Sequence, residues 1–151
     1  IHNDETMVFY TKIKHRKVFA GGGITPDFFV PLDTSTFNPL LGEIISKGLI
    51  QQFAYNYYSS NKEKFSNYKD VKDYNSNFKI DETMYGTFIN YAYQSGVSKS
   101  LEKYKIISQS ELSKRLKAFF AKQKWQNDGF YPLILEDDKT FRKALLEIEK
   151  L

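Results

Sequence analysis

Over residues 6–13, Met7, Phe9 and Ile13 share one face of an extended segment, and Val8, Tyr10 and Lys12 share the other. This period of two predicts a β-strand. A charged turn at 14–17 and a second apolar run at 18–20 predict the returning strand of a hairpin. Because a lone hairpin is marginal in water, we expect it to need a neighbouring sheet.

Three glycines, at 21–23, end the second strand, and Pro26-Asp27 opens another short extended run that stops at Pro31. Glycine reaches backbone conformations that other residues rarely adopt. The stretch from Val18 to Asp33 is therefore predicted to be a junction between extended segments. A polar loop follows it.

Beyond this loop, apolar residues recur every three or four positions, which predicts helices. Thr34, Ser35 or Thr36 is expected to cap a first helix that has Pro39 in its first turn and stops at Gly48. A second helix is expected over 49–58, fading at 59–61, followed by one or two short surface helices in 61–77.

The second half has clearer boundaries. Asp81 is predicted to cap a helix that Gly96 ends. Ser108 and Glu111 form a capping-box pattern, so a helix is expected from there to about Trp125. A break at 128–129 and a strand or loop at 130–135 should follow. Asp137 or Asp138 then caps a last helix whose apolar face comprises Phe141, Ala144, Leu145, Ile148 and Leu151.

These patterns predict an α+β fold. Residues 1–34 form a β-rich hairpin and junction, and residues 35–151 form a mainly α-helical domain of five or six helices. The chain has 151 residues, 41% of them hydrophobic and 17% aromatic, which suits a packed core. An opening without methionine that runs at once into a strand suggests a chain cut from something longer.

The sequence lacks the motifs of several common catalytic and metal-binding sites. There is no cysteine, so disulfides and zinc-finger sites are excluded. No Gly-x-Ser-x-Gly elbow occurs, and the only histidines, His2 and His15, are expected to be exposed. The acidic triplet at 136–138 is interpreted as a helix cap rather than a metal site. We predict no catalytic, cofactor-binding or metal-binding residue, and no cofactor.

One basic stretch allows two interpretations. Residues 99–124 interleave aromatic rings with basic side chains, which is typical of single-stranded nucleic-acid binding. Phe119 and Phe120, however, share a helical face with Leu112 and Leu116, which favours core rings and a solvated basic face. The net charge of +4 does not decide between them. The basic residues are Lys99, Lys103, Lys105, Lys114, Arg115, Lys117, Lys122 and Lys124.

Residues 11–30 resemble the segment that closes the catalytic core of the tail-specific serine proteases, or C-terminal processing peptidases. That segment has a Thr-x-x-Gly-Arg turn, then a strand, a glycine-rich run, Gly-Ile-x-Pro-Asp and a final apolar strand. Thr11, Arg16, the string at 23–27 and Val30 match this pattern. His15 stands where the family has glycine, and histidine tolerates positive φ better than most residues.

The continuation at 48–55 is similar to the helical extension carried by one bacterial branch of the family. The resemblance implies a parent enzyme that cleaves protein substrates with a Ser-Lys dyad, in the bacterial periplasm or cell envelope. The family's serine and lysine lie upstream of the matched segment, so this fragment is expected to be inactive alone. Its helices would be structural or would steer substrates, with membrane contact only through an anchor outside the chain.

A second hypothesis comes from a different class of protein. The chain could be a free-standing helical module that binds protein or single-stranded nucleic acid, with the glycine string a coincidence. The coding sequence upstream of Ile1 separates the two hypotheses.

Overall fold

The computed structural model describes residues 8–19, 28–32 and 34–150. The chain divides into two compact units, Ile1–Pro31 and Leu32–Leu151, which we call the hairpin unit and the helical unit. Most of the predicted junction, including its three glycines, lies outside the described residues, as does His2. The described chain is mostly helical with one short antiparallel sheet, compatible with the predicted α+β class.

The predicted hairpin is present in the hairpin unit. Strand β1 (Val8–Tyr10) pairs antiparallel with β2 (Lys17–Phe19), in the register that places Val8 opposite Phe19 and Tyr10 opposite Lys17. The described strand β1 is shorter than the alternation over 6–13 suggests, because the chain enters the turn after Tyr10.

The helical unit contains seven α-helices and one 3-10 helix among its described residues, rather than the five or six α-helices predicted. They are α1 (Pro39–Ser46), α2 (Leu49–Ser60), α3 (Lys62–Ser66), α4 (Val71–Asn77), α5 (Glu82–Gln94), the 3-10 helix (Lys99–Tyr104), α6 (Lys105–Ile134) and α7 (Lys139–Ile148).

Several predicted helix boundaries are confirmed. Gly48 and Gly96 follow α1 and α5 with φ of 66° and 89°, the left-handed conformation that favours glycine. The carboxylates of Asp81 and Asp138 cap α5 and α7 by accepting hydrogen bonds from backbone amides in the first turn. The cap of α1 was predicted wrongly: it is Asn38, whose Oδ1 accepts from the Leu41 amide at 3.0 Å.

Helix α6 differs most from the prediction. It begins at Lys105, directly after the 3-10 helix, so Ser108 lies inside the helix and the predicted capping box is wrong. The break does not fall at 128–129 either. The backbone leaves the helical conformation at Gln126, with φ 55° and ψ −135°, and residues 130–134 continue as helix rather than strand or loop.

A cluster of aromatic rings occupies the core of the helical unit. Phe120 of α6 lies 5.3 Å from Phe65 and 5.4 Å from Tyr57 between ring centroids, and Tyr74 stacks on Phe78 at 4.7 Å. The short helices in 61–77 were predicted to lie on the surface, yet Phe65 and Tyr74 are buried. These two rings anchor α3 and α4 to the core.

Candidate functional site

The turn of the hairpin has a specific hydrogen-bond arrangement. The Thr11 hydroxyl accepts from the Arg16 amide at 3.0 Å, and the Thr11 amide donates to the Arg16 carbonyl at 3.0 Å. The His15 amide donates to the Thr11 carbonyl at 3.1 Å, and His15 has φ 47°. Position 15 therefore takes a conformation that glycine adopts at lower cost, and a threonine at position 11 secures both ends of the turn.

Much of the apolar surface of the hairpin unit is exposed. Phe9, Tyr10 and Val18 are 56%, 63% and 41% exposed, and Ile13 in the turn is 92% exposed. A two-stranded sheet with both faces open buries too little apolar area to be stable alone. The hairpin therefore presents a surface suited to further strands or a covering layer.

The described residues offer no obvious nucleophile. Ser108 is fully buried, and its hydroxyl donates to Asn38 Oδ1 at 3.0 Å, which ties α6 to the N-terminus of α1. His15 is exposed in the hairpin turn. Asp138 caps α7 and Asp137 pairs with Lys114 and Arg142. Among residues 8–19, 28–32 and 34–150, no group of three or more metal-ligating side chains lies close enough together to hold an ion.

The lysines of the basic stretch are largely occupied by contacts within the protein. Lys124 Nζ donates to the carbonyls of Phe65, Ser66 and Tyr68 at 2.6, 3.3 and 2.7 Å, around the C-terminal end of α3. Lys117 Nζ donates to the Asn75 carbonyl at 2.6 Å, and burial lowers the pKa of this amine. These amines satisfy carbonyls that the short helices leave open.

The aromatic rings of the same stretch are also committed to the fold. Phe120 is buried, Phe119 packs on Phe130 at 5.0 Å, and Trp125 lies 5.4 Å from Tyr74. Lys122 lies over both rings of the Phe119–Phe130 pair. Stacking on bases needs exposed rings beside free cations. The arrangement therefore favours the interpretation of core rings with structural lysines over nucleic-acid binding.

Sequence reasoning missed a polar surface on α2. The exposed side chains of this helix are Gln51, Gln52, Tyr55, Asn56, Ser59 and Ser60. Most of them line a groove of about 600 Å³ that Gly48 and Gln123 of α6 complete, and none of the lining residues is charged. The available signal was a helix of 12 residues without a single charge.

The apolar face of α7 is exposed rather than buried. Phe141, Leu145 and Ile148 are 41%, 45% and 64% exposed. The opposite side carries ion pairs in which Glu147 accepts from Lys143 at 2.6 Å and from Lys150 at 2.8 Å, and these bonds lower the pKa of the Glu147 carboxyl. The predicted periodicity is confirmed, but it does not contribute buried residues to the core.

Residues 40–126 match a family of unknown function, DUF8443. Because the match covers more than half of the chain, the chain belongs to this family. The matched segment starts in α1 and ends at Gln126, where α6 leaves the helical conformation. No curated protein and no solved structure is significantly similar to the chain. In the described part of the chain, no helix is both long and apolar enough to cross a bilayer.

Proposed function

We propose that this chain is the C-terminal portion of a bacterial tail-specific serine peptidase whose Ser-Lys dyad lies upstream of residue 1. The hairpin unit then closes the catalytic core as the end of its β-rich part. The helical unit supports that core or steers unfolded protein substrates toward it. The parent enzyme acts in the periplasm or cell envelope, and its partners are the proteins that it cleaves.

The hairpin turn is the observation that carries this proposal. The family's pattern has threonine at the start of the turn and glycine before arginine at its end. Here Thr11 caps the turn through its hydroxyl, and the glycine position, His15, has φ 47°. Glycine adopts positive φ at the lowest cost, so the backbone at His15 suits the glycine of the family's pattern and supports the proposal.

The exposed faces of the hairpin give independent support. Phe9 and Tyr10 lie on opposite faces of β1, and both are more than half exposed. In a larger sheet, further strands would pair with the edges of the described hairpin, and a layer packed on its faces would cover these rings. A catalytic core that continues upstream of this chain supplies such strands.

The buried serine Ser108 does not form a dyad with the lysines that bind backbone carbonyls. Ser108 is buried and donates its hydroxyl to an asparagine rather than to a lysine amine. Lys117 and Lys124 are bound to backbone carbonyls. A serine nucleophile needs a neighbouring base within hydrogen-bond reach, and neither of these lysines provides it for Ser108.

Expression of the protein with its natural upstream sequence tests the proposal, with cleavage of an unfolded protein as the readout. We expect turnover by the longer protein and its loss when the upstream serine or lysine is replaced by alanine. Residues 1–151 alone should show no turnover. The matched control is Ser108→Ala in the longer protein, which should keep its turnover because that hydroxyl only joins α6 to α1.

Two results contradict the proposal. One is serine-dependent cleavage by residues 1–151 alone. The other is an upstream coding sequence that lacks a serine and a lysine in the order that the family requires.

A further inference from the structure

Helix α2 exposes a surface without charge. Its 12 residues include no Asp, Glu, Lys or Arg, although such residues make up 26% of the chain. Exposed helix faces are usually charged. The exposed positions of α2 are instead filled by amides, hydroxyls and one phenol, and we call them the amide stripe: Gln51, Gln52, Tyr55, Asn56, Ser59 and Ser60.

The amide stripe is continuous along the helix. Its members form two adjoining rows, at positions i, i+4, i+8 and at i+1, i+5, i+9, and the residues within each row lie above one another on an α-helix. At 1.5 Å per residue the stripe is about 14 Å long, the length of about four residues of extended polypeptide. Gln123 of α6 also lines the groove, together with the stripe residues at 51, 52, 55 and 56.

Two of the groove amides are held in place by the fold. Gln52 Nε2 donates to the Lys47 carbonyl at 3.3 Å, and its Oε1 accepts from the Tyr91 hydroxyl at 3.3 Å. Gln123 Nε2 donates to the Phe119 carbonyl at 3.4 Å, which leaves its Oε1 available. Such contacts reduce the entropy lost when a ligand binds.

The other groove side chains are available to a ligand. In the part of the chain that the structure describes, the side-chain amides of Gln51 and Asn56 and the hydroxyl of Tyr55 have no hydrogen-bond partner. Each amide offers two N–H donors and a carbonyl acceptor, which is the complement of a peptide group. The free groups can therefore bond both the donors and the acceptors of a polypeptide main chain.

The composition of the stripe is that of surfaces that bind varied proteins. Tyrosine supplies rigid contact area, and serine and asparagine supply adaptable hydrogen bonds. A lining without charge neither attracts nor rejects charged side chains, so it does not select among sequences by charge. Recognition by this surface depends on the main chain that all polypeptides share.

We propose that the amide stripe and its groove bind an extended, unfolded polypeptide through its main chain. This inference rests on the proposed function, since a peptidase that cleaves unfolded proteins needs a grip that tolerates different sequences. It names the stripe as the substrate-steering surface of the helical unit.

The test uses the full 151-residue chain and a fluorescent peptide of about eight uncharged residues, together with the same peptide N-methylated at alternate residues. N-methylation removes main-chain donors while the side chains stay the same. We expect the dissociation constant to rise about tenfold on N-methylation, and to change less than about twofold as salt is raised from about 50 to about 500 mM. Equal binding of the two peptides overturns the proposal.

Substitutions in the amide stripe test whether the peptide binds there. The double change Gln51→Glu and Asn56→Asp keeps the shape of each side chain but removes its N–H donors, so we expect peptide affinity to fall about tenfold or more. The matched control is Gln94→Glu with Asn127→Asp, which makes the same change at two exposed positions that do not line the groove. Equal losses in the two variants, with unchanged thermal unfolding, contradict the assignment.

Three further outcomes separate this inference from others. Stripe-dependent binding of a chitin oligosaccharide without binding of the peptide overturns it in favour of a glycan site, because amides also suit sugar hydroxyls. If the peptide binds as expected but the longer protein has no serine-dependent turnover, the proposed peptidase function fails while the peptide site stands. If turnover is present but the stripe variants bind the peptide normally, only the stripe is wrong.

Discussion

The hairpin unit and the helical unit place their aromatic side chains in opposite environments. Phe9 and Tyr10 of the hairpin are more than half exposed, whereas Phe65, Phe88 and Phe120 of the helical unit are at most 1% exposed. The difference arises from layers rather than composition, because the described hairpin is one two-stranded sheet whereas the helices of the helical unit pack on one another. The helical unit has its own core, and no side chain given for the described hairpin is buried.

The largest expected effect tests this comparison directly. Phe120→Ala removes a ring in contact with Phe53, Tyr57, Phe65 and Phe78, so we expect the free energy of unfolding to fall by about 3–5 kcal/mol. Phe9→Ala should cost less than about 0.5 kcal/mol because that ring is already solvated. Urea unfolding measures both, and similar losses would refute the contrast.

The second prediction concerns residues 127–134, which follow the change of backbone conformation at Gln126, and tests whether they belong to the core of the helical unit. A Cβ at Gly129 would lie 2.6 Å from the Ala121 carbonyl oxygen, a backbone atom that cannot move aside cheaply. We expect Gly129→Ala to destabilise the helical unit by about 1–3 kcal/mol, measured by thermal unfolding.

Gly86→Ala is the matched control for this change. No atom lies within 4 Å of the Cβ position at Gly86 in α5, so alanine should stabilise the helix by about 0.5–1 kcal/mol. If Gly129→Ala is equally harmless, the close contact between Gly129 and Ala121 within α6 is not part of the core packing.

A third prediction concerns the anchoring of α3. Lys124→Met leaves three carbonyls near the end of α3 without their donor, and we expect a loss of about 2 kcal/mol in urea unfolding. Lys99→Met, at an exposed position of the same basic stretch, should change stability by less than about 0.5 kcal/mol. Equal small effects would show that Lys124 is a solvated charge.

The smallest effect appears only at alkaline pH. Burial raises the pKa of both the Tyr74 and the Tyr85 phenol above its ordinary value, and their hydroxyls donate to the Lys117 and Lys105 carbonyls. Since these folded-state pKa values are raised, their contribution to stability is complete below pH of about 10 and is lost as the pH rises further. Each phenol should contribute about 1.4 kcal/mol per pH unit to this decline.

Unfolding midpoints measured from neutral to alkaline pH check this slope. Tyr74→Phe should make the decline above pH of about 10 shallower, while costing about 1 kcal/mol at neutral pH through the lost hydrogen bond. A wild-type stability that is flat above that pH would contradict the buried state of the two phenols.

Local signals predicted many elements correctly. Asp81 and Asp138 carry side chains that bond to their own helices, and Gly48 and Gly96 permit positive φ at helix ends. These features depend on a few neighbouring residues, so the sequence contains the needed information. The hairpin is similar, because its alternation and charged turn are local.

The errors have non-local causes. Ser108 and Glu111 satisfy the capping-box pattern, but the Ser108 hydroxyl is bound to Asn38, 70 positions away in the sequence, and the preceding 3-10 helix lets α6 begin earlier. The short helices in 61–77 have weak periodicity, and only the packing of Phe65 and Tyr74 against α6 shows that they belong to the core. The amide stripe was missed because neutral polar residues are typical of ordinary surfaces as well.

The sequence by itself determined the order of strand and helix, the caps at Asp81 and Asp138, and the helix ends at Gly48 and Gly96. The tertiary structure decided where α6 bends, which lysines are structural and which aromatic rings are buried. The physical reason is the separation along the sequence of the groups that interact. The hydrogen bonds of a cap or a turn join atoms only a few residues apart. The roles of Lys124, Ser108 and Gly129 depend on carbonyls, amides and backbone that only the folded chain brings beside them.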